Sequence, residues 1–193
     1  MVLQTGLLTA VLLLLWPGAL SSGPVSLGDI VCNLTAAADG PGSGELQLVT
    51  AAVPACPAGW SSHGRSCYLV SPTASSWLGA AAACAAIDER ARLASVRQAN
   101  HGHLEALTAA SGAHYLWVGG VRLRPGGADW AWVDGAGVDY VNWAQGQSTV
   151  AKQDCMALQG PKSDYQANIG EWHDAECSLP AHNFGFICQI NLS

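Results

Sequence analysis

The runs YLWVGGV at residues 115–121 and WAWV at residues 130–133 are short, apolar and rich in aromatic and β-branched residues, a composition typical of buried strands. Two further runs of this kind, at residues 156–158 and 184–190, follow them along the chain. Two helical patterns precede all four runs. Because helices come first and strands follow, instead of alternating along the chain, the sequence predicts an α+β fold rather than an α/β fold.

A hairpin and the two helical patterns occupy the stretch before Gly112. Residues 58–70 predict the hairpin, with Gly64 in its turn. Ser75 and Ser76 are candidate N-caps for the first helix, whose apolar residues recur at intervals of three and four, as on one buried helix face. These residues are Trp77, Ala80, Ala81, Cys84 and Ile87. The second helix is predicted over residues 98–111 and stops at Gly112.

The chain is acidic and sparsely charged. Of 193 residues, 8 are Lys or Arg and 14 are Asp or Glu, which gives a formal net charge of −6. Charged residues make up 11% of the chain, against about 25% in an average domain. No basic block occurs, so the sequence lacks the electrostatic footprint that nucleic acid or an anionic membrane surface requires, and it predicts neither partner.

The first 55 residues predict an export signal and an arm. Residues 7–15 (LLTAVLLLL) are long enough for the apolar centre of a signal peptide, but shorter than the ~20 residues that span a bilayer. We therefore predict a signal peptide over residues 1–22 and a secreted, extracellular protein without a membrane span. Residues 23–55 are small and turn-rich, which predicts a mobile N-terminal arm carrying Cys32 and the glycosylation acceptor Asn33.

The cysteines indicate disulfides. An exported chain meets an oxidising environment, which favours disulfides over thiolate metal sites. Six of the seven cysteines fall within residues 56–188, and sequence alone leaves 15 pairings of these six open. Cys32 is left over, and an odd cysteine in a secreted protein predicts intermolecular pairing, here a disulfide-linked homodimer.

A series of spaced motifs runs along residues 56–189. They are, in order, Cys56 and Cys67, Trp77 and Cys84, Arg92-Leu93-Ala94-Ser95-Val96, Trp117-Val118-Gly119-Gly120, Trp130-Ala131-Trp132-Val133-Asp134-Gly135, Tyr140-Val141-Asn142-Trp143, Asp154-Cys155, Trp172-His173-Asp174, Cys177 and Phe186-Ile187-Cys188. In this order they resemble the landmarks of the C-type lectin-like domain family. Gly120 departs from the family pattern, which has leucine at this position.

The resemblance implies both the fold and its cross-links. The family fold has two helices, short antiparallel sheets and a long irregular loop region, and is stapled by disulfides. The implied domain covers residues 56–189 and leaves residues 190–193 as a tail. The implied disulfides are Cys56–Cys67, Cys84–Cys188 and Cys155–Cys177.

The resemblance also implies a site. In sugar-binding members, a calcium ion in the long loop region coordinates two sugar hydroxyls, and three short motifs hold the ion. Their counterparts here depart from the family pattern: Gln147-Ser148-Thr149 replaces Glu-Pro-Asn or Gln-Pro-Asp, Gln153 replaces the usual Glu, and Trp172-His173-Asp174 replaces Trp-Asn-Asp. The candidate ligand-binding residues are thus Gln147, Thr149, Gln153, His173 and Asp174. Because Asp174 is the one carboxylate among them and calcium affinity follows ligand charge, we predict a weakened or absent calcium site.

Motifs for catalysis and for a transition-metal site are missing. The sequence has no GxSxG elbow, no phosphate-binding glycine loop and no Cys/His ligand cluster, and His101 and His103 do not share a helix face. We therefore predict a binding protein rather than an enzyme. This binding protein is expected to recognise carbohydrate on cell or microbial surfaces through its long loop region. The alternative is a calcium-independent module that binds a protein or another non-sugar ligand on the same fold.

Overall fold

Two helices pack against an eight-stranded sheet in the computed structural model, which describes residues 55–73, 75–163, 169–178 and 184–192. These residues belong to one compact unit that begins at Pro54. The predicted signal peptide, Cys32 and Asn33 lie outside the described residues. Neither helix of the described part is long and apolar enough to cross a bilayer.

The two helices begin and end at recognisable signals. α1, Trp77–Ile87, starts after Ser76, whose hydroxyl accepts a hydrogen bond from Gly79 N at 3.2 Å. α2, His101–Ala110, is shorter than its predicted span. Gly112 follows it with φ at +64°, in the left-handed region that glycine adopts at low cost, and this ends the helix.

The sheet joins the two ends of the domain. Its strands are β1 Ser61–His63, β2 Ser66–Ser71, β3 Arg92–Leu93, β4 Tyr115–Arg122, β5 Trp130–Trp132, β6 Cys155–Gln159, β7 Trp172–Ala175 and β8 Phe184–Asn191. The order across the sheet is β1-β2-β8-β4-β6-β7, with β3 paired to β8 and β5 paired to β4. The last strand, β8, therefore lies between the opening hairpin and β4.

The α+β prediction is confirmed, with two differences in detail. The strands form one mixed sheet, because β4 and β8 pair in parallel whereas the other strand pairs are antiparallel. The sequence did not predict β3, which has two residues, or β7, whose sequence WHDA has no β-branched residue. Both strands form because longer neighbours pair with them.

Tryptophans connect α1 to the sheet. Trp77 on α1 donates from Nε1 to the carbonyl oxygen of Val118 at 2.8 Å, and Trp117 on β4 donates from Nε1 to the carbonyl oxygen of Ser75 at 2.9 Å. Both side chains are buried, and their N–H groups avoid the cost of an unpaired donor. On the other sheet face, Leu104 of α2 belongs to a second apolar cluster.

Three disulfides staple the fold in the pairing that the resemblance implies. They are Cys56–Cys67, Cys84–Cys188 and Cys155–Cys177. The second bond joins α1 to β8 across a sequence separation of 104 residues, and both of its cysteines are fully buried. The third joins the start of β6 to the segment after β7 and so fixes the base of the long loop, residues 133–154.

Candidate functional site

A buried arginine lies at the base of the long loop. Arg122 is the last residue of β4, and its side chain is only 2% exposed. Its Nη2 donates to Asp174 Oδ2 at 3.0 Å and to the carbonyl oxygen of Gln153 at 3.0 Å, and its Nη1 donates to the carbonyl oxygen of Gly127. Its Nε lies 3.1 Å from Asp154 Oδ1, a distance that allows ion pairing although the two groups are not aligned as a hydrogen bond. One guanidinium thus connects three separate segments.

Asp174 links Arg122 to the tip of the loop through hydrogen bonds. Its carboxylate is fully buried in β7, and Oδ1 accepts a hydrogen bond from Ser148 N at 2.8 Å. Ser148 has φ at +64°, a conformation unusual for a residue other than glycine, and its hydroxyl accepts a hydrogen bond from Trp130 Nε1 at 3.0 Å. Both oxygens of the Asp174 carboxylate are therefore occupied, one by Arg122 and one by the loop backbone.

Three tryptophan rings pack together next to the loop. Trp130 and Trp143 are half-buried, with ring centroids 4.8 Å apart, and Trp143 meets the buried Trp172 edge-on at 5.4 Å. Trp117 and Trp132 are buried in the core. Trp130, on β5, and Trp143, within the loop, are only partly buried.

Four of the five candidate residues come together. Gln147 and Thr149 flank Ser148 at the loop tip, where Gln147 is half-buried and Thr149 is exposed. The Thr149 hydroxyl donates to the carbonyl oxygen of Gly146 at 2.9 Å. Gln153 and Asp174 meet at the guanidinium beneath the tip. The loop thus presents amide and hydroxyl groups near the surface and keeps its carboxylate inside.

The fifth candidate, His173, is separated from this group. It lies between Trp172 and Asp174 in β7, and successive side chains of a strand point to opposite faces. Its ring stacks on Tyr115, with centroids 5.1 Å apart. Burial lowers the pKa of His173, and the neighbouring Asp174 charge opposes this shift. His173 therefore belongs to the aromatic packing of the sheet and not to the loop surface.

The donor set does not fit a calcium ion. Calcium takes six to eight oxygen ligands, yet both oxygens of Asp174 and the main-chain oxygen of Gln153 already accept hydrogen bonds within the protein. Within residues 55–73, 75–163, 169–178 and 184–192, no group of three or more His, Cys, Asp or Glu side chains can hold a metal ion. A positively charged side chain stands among the carboxylates instead.

A second concave surface lies between the β1–β2 turn, the start of α2 and residues 134–139. This cleft has a volume of about 550 Å³. Its floor is polar and buried: Ser95 N donates to Gln189 Oε1 at 3.1 Å, and Asn100 Nδ2 donates to the Ser95 carbonyl oxygen at 2.9 Å. The charged residues around it are Arg65, Arg97, Asp134 and Asp139. Sequence reasoning missed the cleft because its lining comes from several distant segments with no common motif.

Comparison with known proteins identifies the family. The family model described as the lectin C-type domain matches residues 73–190, which is more than half of the chain. The chain belongs to the C-type lectin domain family. Among its relatives is lectin BRA-2 of Megabalanus rosa, 30% identical over 137 residues that cover 71% of each chain.

Two solved structures of this family are similar to the chain and are described as calcium-independent. The C-type lectin SPL-2 from Saxidomus purpuratus is 25% identical with a TM-score of 0.56, covering 70% of this chain and 93% of that one. A type II antifreeze protein is 28% identical with a TM-score of 0.58, covering 72% of this chain and 96% of that one. The names of these relatives thus include lectins and an antifreeze protein.

Proposed function

We propose that this chain is a secreted recognition protein that binds glycans on cell or microbial surfaces directly, without calcium, through the tip of its long loop. The observation that carries the proposal is the bonding of Asp174, whose carboxylate is occupied by Arg122 and by Ser148 N. Hydrogen bonds within the protein thereby hold the loop tip. The protein acts by binding and not by catalysis.

The chemistry of the loop tip suits neutral sugar hydroxyls. The side-chain amide of Gln147 offers donors and an acceptor, and the Thr149 hydroxyl, which donates its proton to Gly146, still offers acceptor lone pairs, all without a fixed charge. A loop that is already ordered loses less conformational entropy when a ligand binds. The similarity to SPL-2 supports the proposal, since that protein has the same fold and is named a calcium-independent lectin. We expect weak binding at each site, because neutral hydrogen bonds contribute only about 1 kcal/mol each.

The experiment is a glycan array probed with the secreted protein in calcium and again in chelator, followed by affinity measurements on the best glycan. Gln147→Met and Thr149→Val remove polar groups while keeping side-chain size, and each is expected to weaken binding about five-fold, the equivalent of ~1 kcal/mol. Gln98→Met, at an exposed position near α2, is the matched control and should bind as the wild type does. Melting curves establish that each variant is folded.

The outcomes separate the loop from other surfaces. Binding that chelator abolishes contradicts the calcium-independent proposal. Full binding by both loop variants moves recognition away from the loop, and the polar cleft near Ser95 and Asn100 then becomes the surface to mutate. If no glycan binds, the alternative of a protein or other non-sugar ligand replaces the proposal. That alternative is favoured by the similarity to the calcium-independent antifreeze protein.

Secretion as a glycosylated, disulfide-linked homodimer completes the proposal. Two linked sites compensate for weak individual sites through avidity. Cys32→Ser is expected to convert the secreted protein from a dimer to a monomer on a non-reducing gel, and Asn33→Gln is expected to remove a glycosidase-sensitive mobility shift. A wild-type protein that runs as a monomer without reductant contradicts the dimer.

A further inference from the structure

The surroundings of Arg122 have the composition of a cation site. Four oxygen atoms lie against the guanidinium: carboxylate oxygens of Asp154 and Asp174, and main-chain oxygens of Gly127 and Gln153. The guanidinium carbon also lies 4.5 Å from the ring centroid of Trp130. Carboxylate and carbonyl oxygens are the ligands that calcium selects, and an aromatic face also attracts cations.

Burial distinguishes this arginine from the exposed ion pairs of the domain. In the pair of Arg97 and Asp139, the two side chains are 40% and 44% exposed, whereas in the pair of Arg122 and Asp174 they are 2% and 0% exposed. An exposed pair contributes little, because water solvates either partner alone. A buried carboxylate without its cation is strongly unfavourable. The Asp174 carboxylate therefore requires a positive charge at this position.

We infer that the guanidinium of Arg122 is the built-in cation of the loop, and that truncating this side chain leaves a site that binds a free cation, either calcium or guanidinium. The charged group crosslinks the β4–β5 connection at Gly127, the end of the long loop at Gln153 and Asp154, and β7 at Asp174. A bound ion in the same place makes the same three connections. The inference concerns the same loop as the proposed function but holds whatever ligand the loop binds.

The chemical requirements of the two cations differ in one respect. Guanidinium reproduces the planar donors of the lost side chain and so pairs with the same oxygens. Calcium needs more oxygen ligands than the four present, and water supplies the rest in the space left by truncation. Its affinity in such a site is expected in the range of weak extracellular sites, roughly 0.1 to 1 mM.

The test measures the melting temperature of the full secreted chain and of two variants, Arg122→Ala and Arg97→Ala. Each protein is titrated with calcium chloride, with guanidinium chloride and with sodium chloride at matched ionic strength. Guanidinium chloride is kept at or below about 20 mM, far below the concentrations that denature proteins. We expect no saturable shift for the wild type with either cation. Arg122→Ala is expected to melt roughly 10 °C lower and to recover part of this loss with calcium or guanidinium but not with sodium.

The control and the remaining outcomes decide the inference. Arg97→Ala removes an arginine from an exposed pair and should melt close to the wild type, with no response to either cation. A saturable calcium shift in the wild type, or an Arg122→Ala protein that responds no more than Arg97→Ala, overturns the inference. If Arg122→Ala is unfolded in plain buffer, refolding in calcium or guanidinium supports the inference, and failure to refold in either overturns it. None of these readouts involves glycan binding, so the proposed function can fail independently.

Discussion

The disulfide between Cys84 and Cys188 should contribute more to stability than either of the other two. The perturbation is the double substitution Cys84→Ala/Cys188→Ala, compared with Cys56→Ala/Cys67→Ala. Both double variants remove two sulfur atoms and one covalent bond. They differ in the length of chain that the bond closes, which is a sequence separation of 104 residues in the first case and 11 in the second.

The expected magnitude follows from loop-closure entropy in the unfolded chain. A bond that closes about 100 residues stabilises the folded state by about 5 kcal/mol, and one that closes 10 to 15 residues by about 3 kcal/mol. Burial adds to this difference, because Cys84 and Cys188 are both fully buried within the cluster under α1, whereas Cys56 is only partly buried. We therefore expect the long-loop variant to lose at least ~2 kcal/mol more than the short-loop variant, or roughly 6–12 °C in melting temperature.

The assay is urea unfolding of both double variants at 25 °C, with thermal melts as a second readout. Loss of cooperative unfolding in the Cys84/Cys188 variant agrees with the prediction, provided that the Cys56/Cys67 variant keeps it. An equal or larger loss in the Cys56/Cys67 variant would refute the reasoning from loop length.

Chelator should leave the wild-type melting temperature unchanged, because Asp174 is paired with Arg122.

Two further predictions concern the core and the response to pH. Burial and the stacked ring of His63, whose centroid is 4.7 Å away, lower the pKa of His103 in the folded protein. The unfolded chain therefore takes up the proton first, and the free energy of unfolding should fall as the pH drops below about 6.5. Urea midpoints measured against pH should fall less for His103→Phe than for the wild type, and an equal fall counts against this origin. Gly120→Ala places a Cβ 2.7 Å from the Cβ of Met156 and should cost about 1–3 kcal/mol by thermal melts. The matched change Gly102→Ala, in open space on α2, should instead be neutral or stabilise by about 0.5–1 kcal/mol, and equal losses at both positions would contradict the packing argument.

Elements with a strong local pattern could be predicted from the sequence. The periodic apolar residues of α1 and the candidate N-caps Ser75 and Ser76, of which Ser76 is the cap, placed that helix correctly, and the runs beginning at Tyr115 and Phe184 placed β4 and β8. β7 could not be predicted, because Trp172–Ala175 has no run of strand-forming residues and becomes a strand only through pairing with β6. This omission has a consequence for the site, since recognising β7 as a strand would have placed His173 and Asp174 on opposite faces.

The departure at Gly120 had a local explanation that sequence alone did not reveal. The family resemblance marks the position as unusual, but only packing shows what fills the space. The side chain of Met156 on the adjacent strand lies where a side chain at position 120 would be, with its Cβ, Sδ and Cε all within 2.8 Å of the added Cβ. A flexible methionine on one strand has thus taken the volume of a leucine on the other.

Arg122 was invisible to sequence reasoning for a different reason. A single arginine after an apolar strand normally marks the point where the strand reaches solvent, and nothing local pairs it with Asp174, 52 residues later. Its role as the cation of the loop depends on neutral residues at positions 147 and 153. Two nearby carboxylates, Asp154 and Asp174, lie against one guanidinium, and Asp174 also accepts a hydrogen bond from the N–H of Ser148. Glutamate at position 153, as the family usually has, and glutamate at position 147, as in the Glu-Pro-Asn motif, would add two more negative charges to a loop with a single buried guanidinium. The neutral glutamines at these positions therefore add no negative charge beyond the two carboxylates, whose charge the buried arginine offsets in part.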